Sequence, residues 1–117
     1  EARKFLDSIM HPIVFDEIKN RLLKLEEKGV KLAVVEVPVL FNGKYEHYFT
    51  STIAVTVEEE TLETRLTKRV GDKELADKLM IMSKDANPKI KHAKLTVDNN
   101  GSLKDLAKNI KELQQNL

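Results

Sequence analysis

Lys31-Leu32-Ala33-Val34-Val35-Glu36-Val37-Pro38-Val39-Leu40-Phe41 decides the fold of this chain. Five of the six residues from Leu32 to Val37 are apolar, and Glu36 is the one charged interruption. A near-continuous apolar run, rather than strict alternation, is the pattern of a parallel strand covered on both faces. Pro38 has no N–H to give to a ladder, so a strand over 30–37 is expected to stop there. In open parallel sheets the ligand crevice lies outside the carboxyl ends of the strands. That rule puts Glu36, Pro38, Leu40 and Phe41 at the mouth of a site. The alternative is a core strand that ends in a hydrophobic plug.

Upstream of this strand, Phe5, Leu6, Ile9 and Met10 recur at helical spacing, and His11-Pro12 is expected to interrupt them, since a residue before proline is pushed out of the α region. A second helix then begins at Pro12, where the missing N–H does no harm. It carries Ile13, Val14, Ile18, Leu22 and Leu25 as an apolar stripe as far as Gly29. Downstream, Asn42-Gly43 reads as a loop, and Tyr45, Tyr48 and Phe49 as a short helix packing beside the next strand, Thr52 to Val57. Glu58, Glu59 and Glu60 complement the positive end of a helix dipole, which predicts a helix from Glu58 to Val70 closed by Gly71. A further helix is expected over 72–83, a lysine-rich loop broken by Asn87-Pro88 over 84–94, and a short strand from Leu95 to Asn99. Ser102 and Asp105, three apart, have the spacing of a capping box that starts the last helix. Strands alternating with helices imply parallel strands joined by right-handed crossovers, an α/β layered fold.

A chain of 117 residues makes one domain at most, able to bury a workable core. With 41% hydrophobic and 33% charged residues and a net charge of +1, it has the composition of an ordinary globular protein, with no bulk bias toward nucleic acid or an acidic partner. It has no cysteine, which excludes disulfides and thiolate metal sites. No apolar run approaches the roughly 18 residues of a membrane span, so a cytoplasmic protein without a membrane partner is the default expectation. Residue 1 is Glu within a stretch that already reads as helix, which suggests that the chain starts inside a fold.

Three cations share one face of the helix from Glu58: Arg65, Lys68 and Arg69, at i, i+3 and i+4. Like charges at that spacing repel unless an anion offsets them, and a guanidinium chelates phosphate with two parallel N–H bonds. Two readings stand, a solvated face that tolerates the repulsion and an anion site. His11, His47 and His92 are scattered, none with a second His at helical spacing, so no metal site is expected. His11, fixed before a proline, reads as a capping residue. The basic loop of Lys84, Lys89, Lys91, His92 and Lys94 has no interleaved aromatics for stacking bases, so no nucleic-acid partner is expected. Neither G-x-x-x-x-G-K-[ST] nor G-x-S-x-G occurs in the chain.

Four motifs in order, Ile9-Met10-His11-Pro12, Val34 to Phe41, Arg65-Leu66-Thr67-Lys68-Arg69 and Asn99-Asn100-Gly101-Ser102, resemble dephospho-coenzyme A kinase. The resemblance runs along essentially the whole chain and covers the C-terminal three-fifths, roughly, of the family's length. It implies a P-loop kinase-like three-layer fold with a parallel sheet, present here as an incomplete C-terminal portion and a single partial domain over 1–117. Within it, 1–29 would be substrate-side helices and 58–94 a lid-like helical region. It also implies transfer of the γ-phosphoryl of ATP, with Mg²⁺, to the ribose 3′-hydroxyl of dephospho-coenzyme A. By the same resemblance His11, Pro38, Leu40 and Phe41 are substrate-binding, Arg65 and Arg69 catalytic in the lid, and Asn99, Gly101 and Ser102 on the nucleotide. The chain departs from the family at Glu36, an Asp there, at Asn42, a Glu there, and at Leu79, Ser83 and Lys94. The phosphate loop would come from an N-terminal region or a second chain. The rival readings are a non-catalytic relative that binds nucleotide, coenzyme A or a protein, and a kinase acting on a nucleoside monophosphate.

Overall fold

The computed structural model describes residues 1–37, 45–90 and 92–117, with the backbone alone over 85–90. The elements are α1 (Ala2–Glu27), a 3-10 turn (Glu46–Tyr48), β1 (Ile53–Thr56), α2 (Glu59–Val70), α3 (Lys73–Ile90), β2 (Leu95–Asp98) and α4 (Leu103–Gln114). β1 and β2 pair in parallel, with Ile53 opposite Leu95 and Thr56 opposite Asp98. The fold is mixed α/β with a parallel sheet, as the alternation of patterns predicts and as a portion of a P-loop kinase-like fold requires. The chain divides into two compact units, Glu1–Tyr48 and Phe49–Leu117.

The first unit departs from expectation twice. Residues 2–27 form one helix with Pro12 inside it, not two helices meeting at His11-Pro12. Proline denies one N–H to the carbonyl of Ser8. Residues with helical spacing stand on both sides, and each turn added to an existing helix needs no new nucleus, so the helix propagates through. The helix ends where expected: the Gly29 N–H donates to the Glu26 carbonyl at 2.9 Å and the Val30 N–H to that of Leu25 at 3.0 Å, the paired bonds of a Schellman motif. The second departure is the strand expected over 30–37, which is not a strand. A parallel strand takes every ladder bond from a neighbour, and the described residues of this unit hold no other strand. Val30, Leu32 and Val34 remain exposed, Val34 at 79%. The aromatic turn does form, but it packs on α1: the ring of Tyr45 stacks on Phe15 with centroids 3.8 Å apart and 14° between planes. Phe15 is the buried residue of α1.

The second unit follows its sequence closely. α2 begins with Glu59 and Glu60 in its first turn and ends at Gly71, whose φ of 71° lies in the left-handed region and whose N–H meets the Thr67 carbonyl at 3.0 Å. Only a residue without Cβ reaches that conformation cheaply. The Asp72 carboxylate then accepts the N–H groups of Glu74 and Leu75, at 2.9 and 3.3 Å, and starts α3. α3 runs to Ile90 instead of yielding to a loop at Lys84. Pro88 stands two residues from its end, where a lost backbone bond removes little. Ala54 and Val97 are both buried. Since Val97 lies opposite Val55 in the register, Ala54 and Val97 face opposite sides of the sheet. Both faces are thus covered at one point each, as a parallel sheet demands.

Candidate functional site

The described part of the candidate site is the turn from β2 into α4 and the face of α2 beside it. Asp98 ends β2, and its carboxylate accepts the N–H of Asn100 at 2.7 Å, a local bond that bends the chain as aspartate side chains do in turns. The Asn99 N–H donates to the Thr56 carbonyl at 2.8 Å and carries the parallel ladder one residue past β2. Ser102 is the N-cap of α4, with the full capping box: the Asp105 N–H donates to Ser102 Oγ at 3.2 Å and the Ser102 N–H to Asp105 Oδ2 at 3.0 Å. Two donors hold the Asp105 carboxyl below the usual aspartate range, the Ser102 backbone N–H first and second the Ser102 hydroxyl, which itself donates to Oδ2 at 2.9 Å. Gly101 is crowded by the same box, because a Cβ there would come within 2.5 Å of Asp105 Oδ2 and 2.9 Å of its Cβ.

α2 is tied to this turn at two points. The Glu58 N–H, free of any side-chain cap of its own, donates to Asn100 Oδ1 at 2.6 Å. Two turns on, the Arg65 guanidinium spans the carbonyls of the turn: Nη1 donates to Asn99, and Nη2 to Asn100 at 3.2 Å and to Gly101 at 2.9 Å. Arg65 and the Asn99–Ser102 turn, separated by more than thirty residues, are therefore in direct contact. Lys68 and Arg69 on the same helix are exposed and make no hydrogen bond or ion pair with a described residue. α2 and α3 are linked by Lys84, whose ammonium sits 2.7 Å from Glu59 Oε1. That hydrogen bond raises the Lys84 pKa above the usual lysine value.

The remaining expected residues lie elsewhere. His11 is half-buried in the middle of α1, where no helix end exists for it to cap. Pro38, Leu40 and Phe41 lie outside the described residues, as does Asn42. A cleft of about 220 Å³ in the first unit is lined by Phe15, Ile18, Leu22, Leu23 and Tyr48, and an open one of about 420 Å³ in the second by β2, Asn109, Leu113 and Asn116. Neither takes in an expected site residue. No group of three His, Cys, Asp or Glu among the described residues could hold a metal ion, and no helix there is long and apolar enough to cross a membrane. Sequence reasoning missed Asp98 and Asn109, and named Asn100 only as part of the Asn99–Ser102 motif. Asn109 Nδ2 donates to the Asp98 carbonyl at 3.0 Å and anchors α4 to the turn. The signal for Asp98 was the Asp-Asn-Asn-Gly composition of a turn; nothing local marked Asn109.

The family model for dephospho-CoA kinase matches residues 1–105. This chain belongs to the dephospho-CoA kinase family. It is 33% identical over 105 residues to a dephospho-CoA kinase of Arabidopsis thaliana, covering 89% of this chain and 45% of that protein. It is 30% identical over 115 residues to a dephospho-CoA kinase of Corynebacterium glutamicum, covering 97% and 58%. An uncharacterised protein of Caenorhabditis elegans is 31% identical over 114 residues, covering 97% and 48%. The chain thus spans about half the length of the curated relatives it matches. No solved structure matches it. The family match places the four motifs, up to the Asn99–Ser102 turn, within one matched stretch.

Proposed function

We propose that these residues form the lid and nucleotide-side portion of an ATP-dependent dephospho-CoA kinase, which phosphorylates the ribose 3′-hydroxyl of dephospho-coenzyme A to give coenzyme A. Membership of the family over 1–105 supports this reading most strongly. In the transfer, the 3′-oxygen bonds to the γ-phosphorus of ATP, the bond from that phosphorus to the ADP oxygen breaks, and the hydroxyl proton departs. Protein contributes to such a reaction mostly by positioning and by stabilising charge on the phosphoryl oxygens. Arg69 is the phosphate-facing lid residue in this scheme: with no partner among the described residues it has all its donors available for phosphate, while Arg65 stands on the same helix with its guanidinium on the Asn99–Ser102 turn. Asn99, Gly101 and Ser102 lie on the nucleotide side, and His11, Pro38, Leu40 and Phe41 on the acceptor side. Mg²⁺ would accompany the ATP phosphates, and no described side chain is assigned to it. This reading also requires a phosphate loop, whose G-x-x-x-x-G-K-[ST] motif does not occur in these residues.

The test is ATP-dependent phosphorylation of dephospho-coenzyme A by the purified protein and by its Arg69→Ala variant. The substitution should cut turnover by on the order of 10²–10³, the loss that follows removal of one preorganised donor to developing charge, with an unchanged circular dichroism spectrum. Absence of turnover in the unsubstituted protein, with binding of nucleotide or coenzyme A retained, would instead identify a non-catalytic relative.

A further inference from the structure

We infer that Arg65 is a positioning residue: it straps the Asn99–Ser102 turn to α2, and sets the nucleotide side of the site through that turn instead of binding phosphate beside Arg69. The nucleotide half of this assignment rests on the kinase activity proposed above; the strap itself does not. Asn99, Asn100 and Gly101 present three successive carbonyls to one guanidinium. A tight turn leaves such carbonyls without ladder partners, and each must find a donor or water. The guanidinium is a flat fork of five donors with no acceptor, and three of its N–H groups are given to these oxygens. A phosphate ligand would need the same groups.

The rest of the turn is fixed from other directions. Asp98 holds the Asn100 N–H, and the capping box holds Ser102. The Glu58 N–H holds the Asn100 side chain, so the start of α2 is tied to the turn as well. The carbonyl side of the turn is the side that Arg65 governs. Division of labour along α2 follows: Arg65 faces backbone oxygens, while Lys68 and Arg69, one turn later, keep their donors free of described partners.

Arg65→Lys separates the two roles, because lysine keeps the charge and still attracts phosphate but replaces the rigid fork by a single point donor. In the unliganded protein, amide exchange over 99–102 should rise about three- to tenfold in Arg65→Lys and in Arg65→Met, the range set by loss of charge-assisted hydrogen bonds at an exposed site. Adenosine and ATP should then lose affinity by the same factor, while tripolyphosphate, which has no base to place, binds Arg65→Lys as it binds the unsubstituted protein. KM for ATP rises with kcat little changed. Unchanged amide exchange, or loss of tripolyphosphate binding with adenosine spared, would overturn the assignment. If the unsubstituted protein takes up neither adenosine nor ATP, the kinase reading fails. Amide exchange then decides the strap alone, in its favour if accelerated and against it if not.

Discussion

The two units of this chain hold apolar sequence of similar quality and use it differently. In Glu1–Tyr48, α1 displays Phe5, Leu6, Ile9, Met10 and Ile13 as exposed residues and buries Phe15 against Tyr45, and the run from Leu32 to Val37 stays out of any strand. In Phe49–Leu117, short strands of the same Val and Ile type are paired, and Ala54, Ala76, Met80 and Val97 are buried. Composition does not separate the regions. Partnership does: a strand pattern becomes a strand only where a second strand supplies its hydrogen bonds, and the second unit has Leu95–Asp98 to offer Ile53–Thr56.

The strongest way to break this contrast is to charge one valine in each region. Val97→Asp puts a carboxylate at a residue only 5% exposed, which should cost about 3 kcal/mol or more and abolish amide protection across β1, β2 and α4. Val34→Asp, at a position 79% exposed, should change stability by less than about 0.5 kcal/mol. Equal losses at the two sites would mean that Val34 is covered after all, and the contrast between the units would collapse.

A smaller effect is expected inside α1. Pro12 removes one hydrogen bond from a helix whose flanking turns are otherwise regular. Pro12→Ala should therefore raise the helix's stability by about 1–3 kcal/mol, seen as a higher melting temperature of the 222 nm signal. No change would show that the proline's cost is already offset by a bend or contact, and that the first unit is better packed than its exposed residues indicate.

What the residues alone made legible were the features that close within a few positions. The Ser102–Asp105 box, the Gly71 cap, the acidic start of α2 and the parallel strand pair all depend on neighbours or on β-branched runs with a partner inside the chain. The strand over 30–37 was not legible, because its pattern states what the segment can bury and not whether a neighbour exists. Pro12 and Pro88 misled for a related reason: the local bias against helix before proline is weaker than the gain from continuing a helix that is already formed. At the site, helical spacing put Arg65 and Arg69 on one face. The bond of Arg65 to carbonyls of residues 99–101 is a long-range contact between backbone atoms and one side chain, and no local pattern encodes it.

The smallest expected effect tests the cap that this legibility rests on. Ser102→Ala removes the hydroxyl that accepts the Asp105 N–H and should cost α4 about 1 kcal/mol. The pH dependence has a definite sign. Because the Asp105 pKa is lowered in the folded chain by the Ser102 N–H, its contribution is fully present above the pKa of an unfolded aspartate and disappears as pH falls through the lower folded value. Asp105→Asn has no such titration, since its amide oxygen accepts the same N–H at every pH. The difference in melting temperature between the two proteins should therefore be widest at neutral pH and narrow on acidification. A difference that stays constant into acid would show that the carboxylate is not what the Ser102 N–H holds. The turn would then owe its shape to Asp98, Asn100 and the Arg65 strap, and the second unit's order would be long-range rather than local.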